Sequence, residues 1–246
     1  MDNTARTIKT TATPAFKARL AGGFYLITII MGVFAEVFVR GALVVRDDPA
    51  ATAMNILAQE SLYRFGLAAD LIMLACYIAV TLLFYSLFKP VGRSLSLLAA
   101  FFSLVGIAIL AVNSLNHIAP LVLLGGGIYQ SGFEANQLQS FALMSLSMHA
   151  LGYTISGVFF GIYMLLLGHL IYTSGFLPRM LGALTAIGGL SFLANSFAIF
   201  LLPALVASLP DIGMLGGNTE LALSLWLIVM GVNALKWKER GQMPGV

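Results

Sequence analysis

Hydrophobic positions gather in six long runs with short polar breaks between them. The runs fall at 16–39, 62–88, 94–118, 138–172, 176–204 and 219–237. Each reaches the length of about 20 residues that a helix needs to cross a hydrocarbon core about 30 Å thick. The pattern predicts an all-α integral membrane protein, a six-transmembrane-helix bundle. The run at 138–172 is too long to lie wholly in hydrocarbon, so its first turns are expected to project or tilt. No internal repeat stands out, which weakens a transporter reading built on inverted repeats.

The polar breaks carry a second signal. Arg6, Lys9, Lys17, Arg19, Lys89, Arg93, Arg179, Lys236, Lys238 and Arg240 fall on one face of the predicted bundle. Only Arg40, Arg46 and Arg64 fall on the other. The positive-inside rule then places both termini in the cytoplasm, as an even number of spans requires. The chain divides into a polar cytoplasmic tail (1–15), the membrane domain (16–237) and a cytoplasmic C-terminal tail (238–246). The first run is too long for a signal-peptide core and Glu36 and Arg40 close it, so it is expected to be retained. In the 41–61 connection, Asp47, Asp48 and Pro49 make a good helix start and predict a short extracytoplasmic interfacial helix. The Gly-rich connections 119–137 and 205–218 are expected to lie over the bundle mouth.

Composition fits a lipid solvent: 59% of the residues are hydrophobic and 9% charged, against about 25% charged in soluble domains. The net charge of +3 comes from residues flanking spans rather than from a basic stripe with interleaved aromatics, so nucleic acid is excluded as a partner. The single cysteine, Cys76, reads as a small buried apolar residue. No lysine lies in a span interior for a retinal Schiff base, and neither a phosphate-binding glycine loop nor a CxxC pair is present.

The polar residues inside the spans are the informative ones, because a charge near the bilayer centre costs at least about 2.5–3.5 kcal/mol and usually pairs or marks a functional site. Glu36 and Arg40 stand four residues apart on one helix face. Asp70 follows Arg64 by six residues, and a clamp between the two is expected. Asn113 and His117 share one face, and His149, Tyr153 and Ser156 another. With alternate spans antiparallel, all of these reach similar depth in the extracytoplasmic half. They predict a polar cavity, lined by Glu36, Arg40, Arg64, Asp70, Asn113, His117, His149 and Tyr153, for a small molecule or lipid headgroup. Two histidines with Asp70 or Glu36 also supply the ligand types of a zinc site with one open position; His117, His149 and Asp70 are the candidate set. Haem between the two histidines has no supporting spacing. Gly157 and Gly161 form a small-xxx-small motif for close helix packing, and Trp237, between two lysines, reads as an interfacial anchor.

Four segments carry a resemblance: ARLAGGFYLITIIMGVFAEVFVRG (18–41), ESLYRFGLAADL (60–71), GVFFGIYMLLLGHLIYTSGFLPRMLGALTAIGGLSFLANSF (157–197) and ELALSLWLIVMGVN (220–233). Together they resemble a bacterial family of multi-pass membrane proteins known only as a domain of unknown function. The resemblance implies a bacterial cytoplasmic (inner) membrane protein and marks Glu36, Arg40, Arg64, Asp70, Pro178 and Trp226 as family-pattern positions. It implies no activity, substrate or cofactor. Three functional classes follow from the sequence. One is binding or transport of a small molecule or lipid headgroup through the polar cavity. Another is a metal-dependent intramembrane hydrolase or transferase, with Glu36 as base. The third is a non-catalytic membrane component acting through protein partners.

Overall fold

A computed structural model describes residues 13–127, 131–206 and 212–242. Among them the regular structure is helical throughout. The predicted N-terminal tail lies almost wholly outside the described residues, as do parts of the connections predicted at 119–137 and 205–218.

Helix α1 (Pro14–Val33) starts with Pro14 in its first turn, and the Thr13 hydroxyl accepts the Phe16 N–H at 3.3 Å. It runs on through a π-helical segment, Phe34–Arg40, into a last turn, α2 (Gly41–Leu43), so that Pro14–Leu43 is one long apolar helix. The expected interfacial helix is α3 (Pro49–Ala58). Asp48 caps it by accepting the Ala51 N–H at 2.9 Å, and the preceding Asp47 takes φ 64°, a left-handed conformation that Asp tolerates.

Helices α4 (Glu60–Phe88), α5 (Arg93–Leu124), α6 (Ala135–Ser174) and α7 (Arg179–Leu201) follow, then a short turn, α8 (Pro203–Val206). The 40-residue α6 is longer than a bilayer needs, in keeping with the expected projection. α5 continues six residues past 118, through Pro120, because Pro120 and Leu121 are buried against the second core. The chain closes with α9 (Met214–Val229) and α10 (Ala234–Gln242).

The predicted run at 219–237 is therefore not one helix. Gly231 adopts φ 65° and Asn233 caps α10 by accepting the Leu235 and Lys236 N–H groups, so the two helices diverge by 99°. At about 24 Å, the 16 residues of α9 fall short of a full crossing. Among the described residues five helices are long and apolar enough to span a membrane, and the bent pair makes a sixth if counted as one span. The Trp237 indole donates to the Leu87 carbonyl at 2.8 Å, tying α10 to the end of α4.

Glycine sets the tightest packing. On α6, Gly157 faces Ser196 and Gly161 faces the Gly189 carbonyl of α7, while Gly168 and Gly182 meet backbone to backbone. Without a hydrophobic drive between helices in lipid, such close approach supplies the dispersion contacts. A large core of Tyr25, Tyr77, Phe84, Phe88, Tyr163 and Leu167 fills one end of the bundle. A smaller one of Val39, Leu43, Ile56, Tyr63, Leu121 and Leu146 fills the end that carries α3. The polar residues lie between the two.

Candidate functional site

Four helices bring the polar residues together. The π-helical segment supplies Glu36 and Arg40, α4 supplies Tyr63 and Asp70, α5 supplies Asn113 and His117, and α6 supplies His149 and Tyr153. An i to i+5 turn is rare and recurs at functional sites; here it sets Arg40 inward while Glu36 stays at the surface.

Arg40 is the centre. Its Nη1 donates to Asp70 Oδ2 at 2.6 Å and lies 3.0 Å from His117 Nδ1, and its Nη2 donates to Asp70 Oδ1 at 3.4 Å. Its Nε donates to Glu36 Oε2 at 2.7 Å. The guanidinium carbon stands 5.6 Å from the centre of the Tyr153 ring, a cation–π contact, and the Tyr153 hydroxyl donates to Asp70 Oδ1 at 3.2 Å. The side chains of Arg40 and Asp70 are only 8% and 3% exposed, whereas that of Glu36 is 67% exposed.

Partner chemistry assigns the histidine tautomers. An arginine only donates, so His117 Nδ1 accepts from Arg40, and His117 Nε2 donates to the Tyr63 carbonyl at 3.3 Å. The Tyr63 hydroxyl donates back to the His117 carbonyl. On α6, His149 Nδ1 donates to the Asn113 carbonyl at 3.2 Å, and Asn113 Nδ2 returns a bond to the His149 carbonyl at 2.8 Å. His149 Nε2 therefore carries a lone pair; it is buried and has no partner. The two imidazoles meet edge to face with centroids 5.4 Å apart.

Asp70, His117 and His149 each offer one ligand atom, and these atoms lie within 4.8 Å of one another. All three residues are buried. This trio could hold a metal ion, and both histidines already have one ring nitrogen fixed by a backbone carbonyl, the outer support that metal-ligating imidazoles need.

Two expectations need correction. Arg64 does not clamp Asp70: its side chain is 58% exposed and bonds Glu60, one turn earlier, at 2.7 Å. The partner of Asp70 is Arg40. The residues also close on one another rather than lining an open cavity, since Arg40, Asp70, Asn113, His117 and His149 are all buried and bonded across helices. Tyr63 and Asn116, which donates to Asn113 Oδ1 at 3.0 Å, belong to the same network and were not anticipated. The spacing of Tyr63 and Asp70, seven residues or nearly two full turns, is the signal that could have found the first.

An all-helical integral membrane protein with a buried, arginine-centred polar core is the class these features define. The chain belongs to the family described as a domain of unknown function (DUF4386), whose model matches residues 20–231. It is also similar to an uncharacterised protein of the archaeon Archaeoglobus fulgidus, 29% identical over 161 residues that cover 65% of this chain and 79% of the relative. No solved structure matches.

Proposed function

We propose that this protein binds a divalent transition-metal ion inside the membrane, with Asp70, His117 and His149 as its ligands. The single observation that carries the reading is the buried, unpartnered Nε2 of His149 beside Asp70 and His117. A buried acceptor without a partner costs about 1–3 kcal/mol, and a metal ion satisfies it. One carboxylate and two imidazoles suit zinc, with a further position left for water. A metal ion held there would supply Lewis acidity; the protein holds both rings through the backbone carbonyls of Tyr63 and Asn113.

Arg40 is the resident cation of this site. Its Nη1 stands against Asp70 Oδ2 and His117 Nδ1, the groups that would ligate the metal. A divalent ion and a guanidinium repel at such range, so metal entry requires Arg40 to withdraw toward the exposed Glu36. Binding is thus an exchange of one cation for another at Asp70. The same geometry disfavours an anionic small molecule or lipid headgroup, because Arg40 already spends four of its five N–H donors on Glu36, Asp70 and His117. The hydrolase or transferase alternative uses the same ion. Burial of all three ligands leaves a lipid no entry in this state, so binding and release of an ion is the preferred reading. The basic-residue asymmetry supports a reading with both termini cytoplasmic and the site in the extracytoplasmic half, and the family resemblance supports a bacterial cytoplasmic membrane.

Zinc titration of the purified protein by calorimetry, with elemental analysis, tests this. One ion per chain is expected. Loss of an outer support costs about 10–100-fold in affinity, so His149→Ala, which removes a ligand, should cost at least that. Arg40→Gln should tighten binding by about tenfold or more, because it removes a competitor that keeps the site mostly occupied. A protein that holds no zinc with either Arg or Gln at position 40 refutes the reading.

A further inference from the structure

Below the arginine-centred core lies a second acid. Glu220, the seventh residue of α9, accepts a hydrogen bond from the Tyr77 hydroxyl of α4 at 3.0 Å. Tyr77 in turn lies 3.5 Å, oxygen to oxygen, from Tyr25 of α1. Tyr163 of α6 packs edge-on against Tyr77 with centroids 6.3 Å apart, and its buried hydroxyl has no partner. Seven residues separate Tyr77 from Asp70 on the same face of α4, about 10 Å along the helix. The two acids are therefore distinct sites at different depths.

The ionisable groups around Glu220 are all phenols: Tyr25 from α1, Tyr77 from α4 and Tyr163 from α6. The remaining neighbour, α7, has Arg179 as its only charged residue, nine positions before the Gly188 that faces Thr219. Among the described residues no lysine, arginine or histidine pairs with Glu220; the ion pairs formed involve Arg40 and Arg64 instead. A carboxylate without a counter-charge is expensive in a bilayer. A proton removes that cost by turning the acid into a neutral carboxyl. A cavity of about 10 Å³, room for one water molecule, borders Tyr163 on the side of Thr81 and Ser96. Glu220 itself is partly buried, on the same face of α9 as the buried Gly216, Leu223, Ser224 and Leu227, so its carboxyl faces the bundle.

We propose that Glu220 is an exchangeable proton-binding site inside the bundle, with Tyr77 as its hydrogen-bond donor. The step is simple acid-base chemistry: the carboxylate takes one proton to become a neutral carboxyl, and releases it again without oxidation or reduction. Tyr77 positions the group by donating to the oxygen that does not carry the proton. The unpartnered Tyr163 hydroxyl offers the next polar stop inside the bundle.

Dicyclohexylcarbodiimide tests the site, because this apolar reagent partitions into lipid and adds across a protonated carboxyl to leave a stable acylurea. The purified full chain in bilayers is treated across a pH series and its peptides are mapped by mass spectrometry. In parallel, infrared difference spectra follow the protonated carboxyl C=O stretch. An adduct at Glu220 is expected, falling by about tenfold per pH unit above its midpoint. Glu220→Gln should abolish both adduct and band. Tyr77→Phe, which keeps the ring and the acid, should retain the band but move it to higher wavenumber as the hydrogen bond is lost. Four results overturn the proposal: no adduct at Glu220 at any pH, labelling independent of pH, a carboxyl band that survives Glu220→Gln, or one unmoved by Tyr77→Phe.

Discussion

Removing the charge of Asp70 isolates the most consequential contact in the molecule. In Asp70→Asn the Arg40 guanidinium stays buried, with its side chain 8% exposed, but loses the carboxylate bonded at 2.6 and 3.4 Å. Breaking a buried ion pair on one side costs about 3–5 kcal/mol, because the remaining charge is uncompensated. Arg40 keeps Glu36 on its Nε, so the lower end applies and about 3 kcal/mol is expected. An ordinary hydrogen bond between membrane helices averages about 0.6 kcal/mol, so the two accounts differ several-fold. The assay is reversible unfolding in mixed micelles, titrated with a denaturing detergent and followed by far-UV circular dichroism. Glu36→Gln is the internal control, since a pair with one member 67% exposed should be worth about 0–1 kcal/mol. The double change Arg40→Met with Asp70→Leu should cost less than the sum of its parts, because it removes both charges together. An Asp70→Asn cost no larger than that of Glu36→Gln, or strict additivity in the double variant, would refute the buried-pair argument.

Other expectations are simpler. Arg64→Gln should change stability by at most about 0.5 kcal/mol and add to Asp70→Asn without coupling, because its pair with Glu60 is exposed; the same unfolding titration reads it. Gly152→Ala drives a methyl group into the Asn113 amide, so it should cost about 1–3 kcal/mol and weaken zinc binding measured by calorimetry. Gly182→Ala meets the Tyr172 backbone nitrogen at 2.6 Å and the Gly168 carbonyl at 2.7 Å; it should cost a similar amount while zinc stoichiometry in the folded fraction stays at one. Reporter fusions should find both termini in the cytoplasm, and an external C-terminus would invert the placement of the metal site.

Much of the molecule is legible along the chain because lipid allows few solutions. Apolar runs must be helices, and Asp48 with Pro49 has to start one. The pairs Glu36 and Arg40, Asn113 and His117, and His149 and Tyr153 each stand four apart, so each shares a helix face. Helix geometry also separates Arg64 from Asp70. Six residues on an α-helix turn the side chain by about 240°, which points Arg64 away from Asp70, whereas seven residues bring Tyr63 and Tyr77 back onto its face. Two features were not legible. Which span neighbours which depends on tertiary packing, and it is the adjacency of the π-helical segment to α4 that delivers Arg40 to Asp70. The closure of the core depends on bonds to backbone carbonyls of other helices, those of Tyr63 and Asn113, and no side-chain pattern announces them.

The two acids reveal how one helix face sets different chemistry at two levels. Tyr63, Asp70, Tyr77 and Phe84 recur every seven residues on α4, and α6 answers with His149, Tyr153, Ser156 and Tyr163. At the Asp70 level the neighbours are Arg40 and two imidazoles, a set that compensates a full negative charge and still leaves a lone pair on His149. At the Glu220 level the neighbours are phenols, which donate hydrogen bonds and bring no positive charge. The acid in the first setting has a fixed cation, Arg40, beside it, so a metal ion bound there would exchange one cation for another. In the second setting no fixed cation stands beside the acid among the described residues, so a proton is what makes it neutral. Replacing Tyr163 by Phe separates these roles: it removes the unpartnered hydroxyl beside the lower acid and touches none of the zinc ligands. Zinc affinity should stay unchanged while the rate of carbodiimide labelling at Glu220 shifts. A loss of zinc binding in that variant would mean that the two levels act as one site.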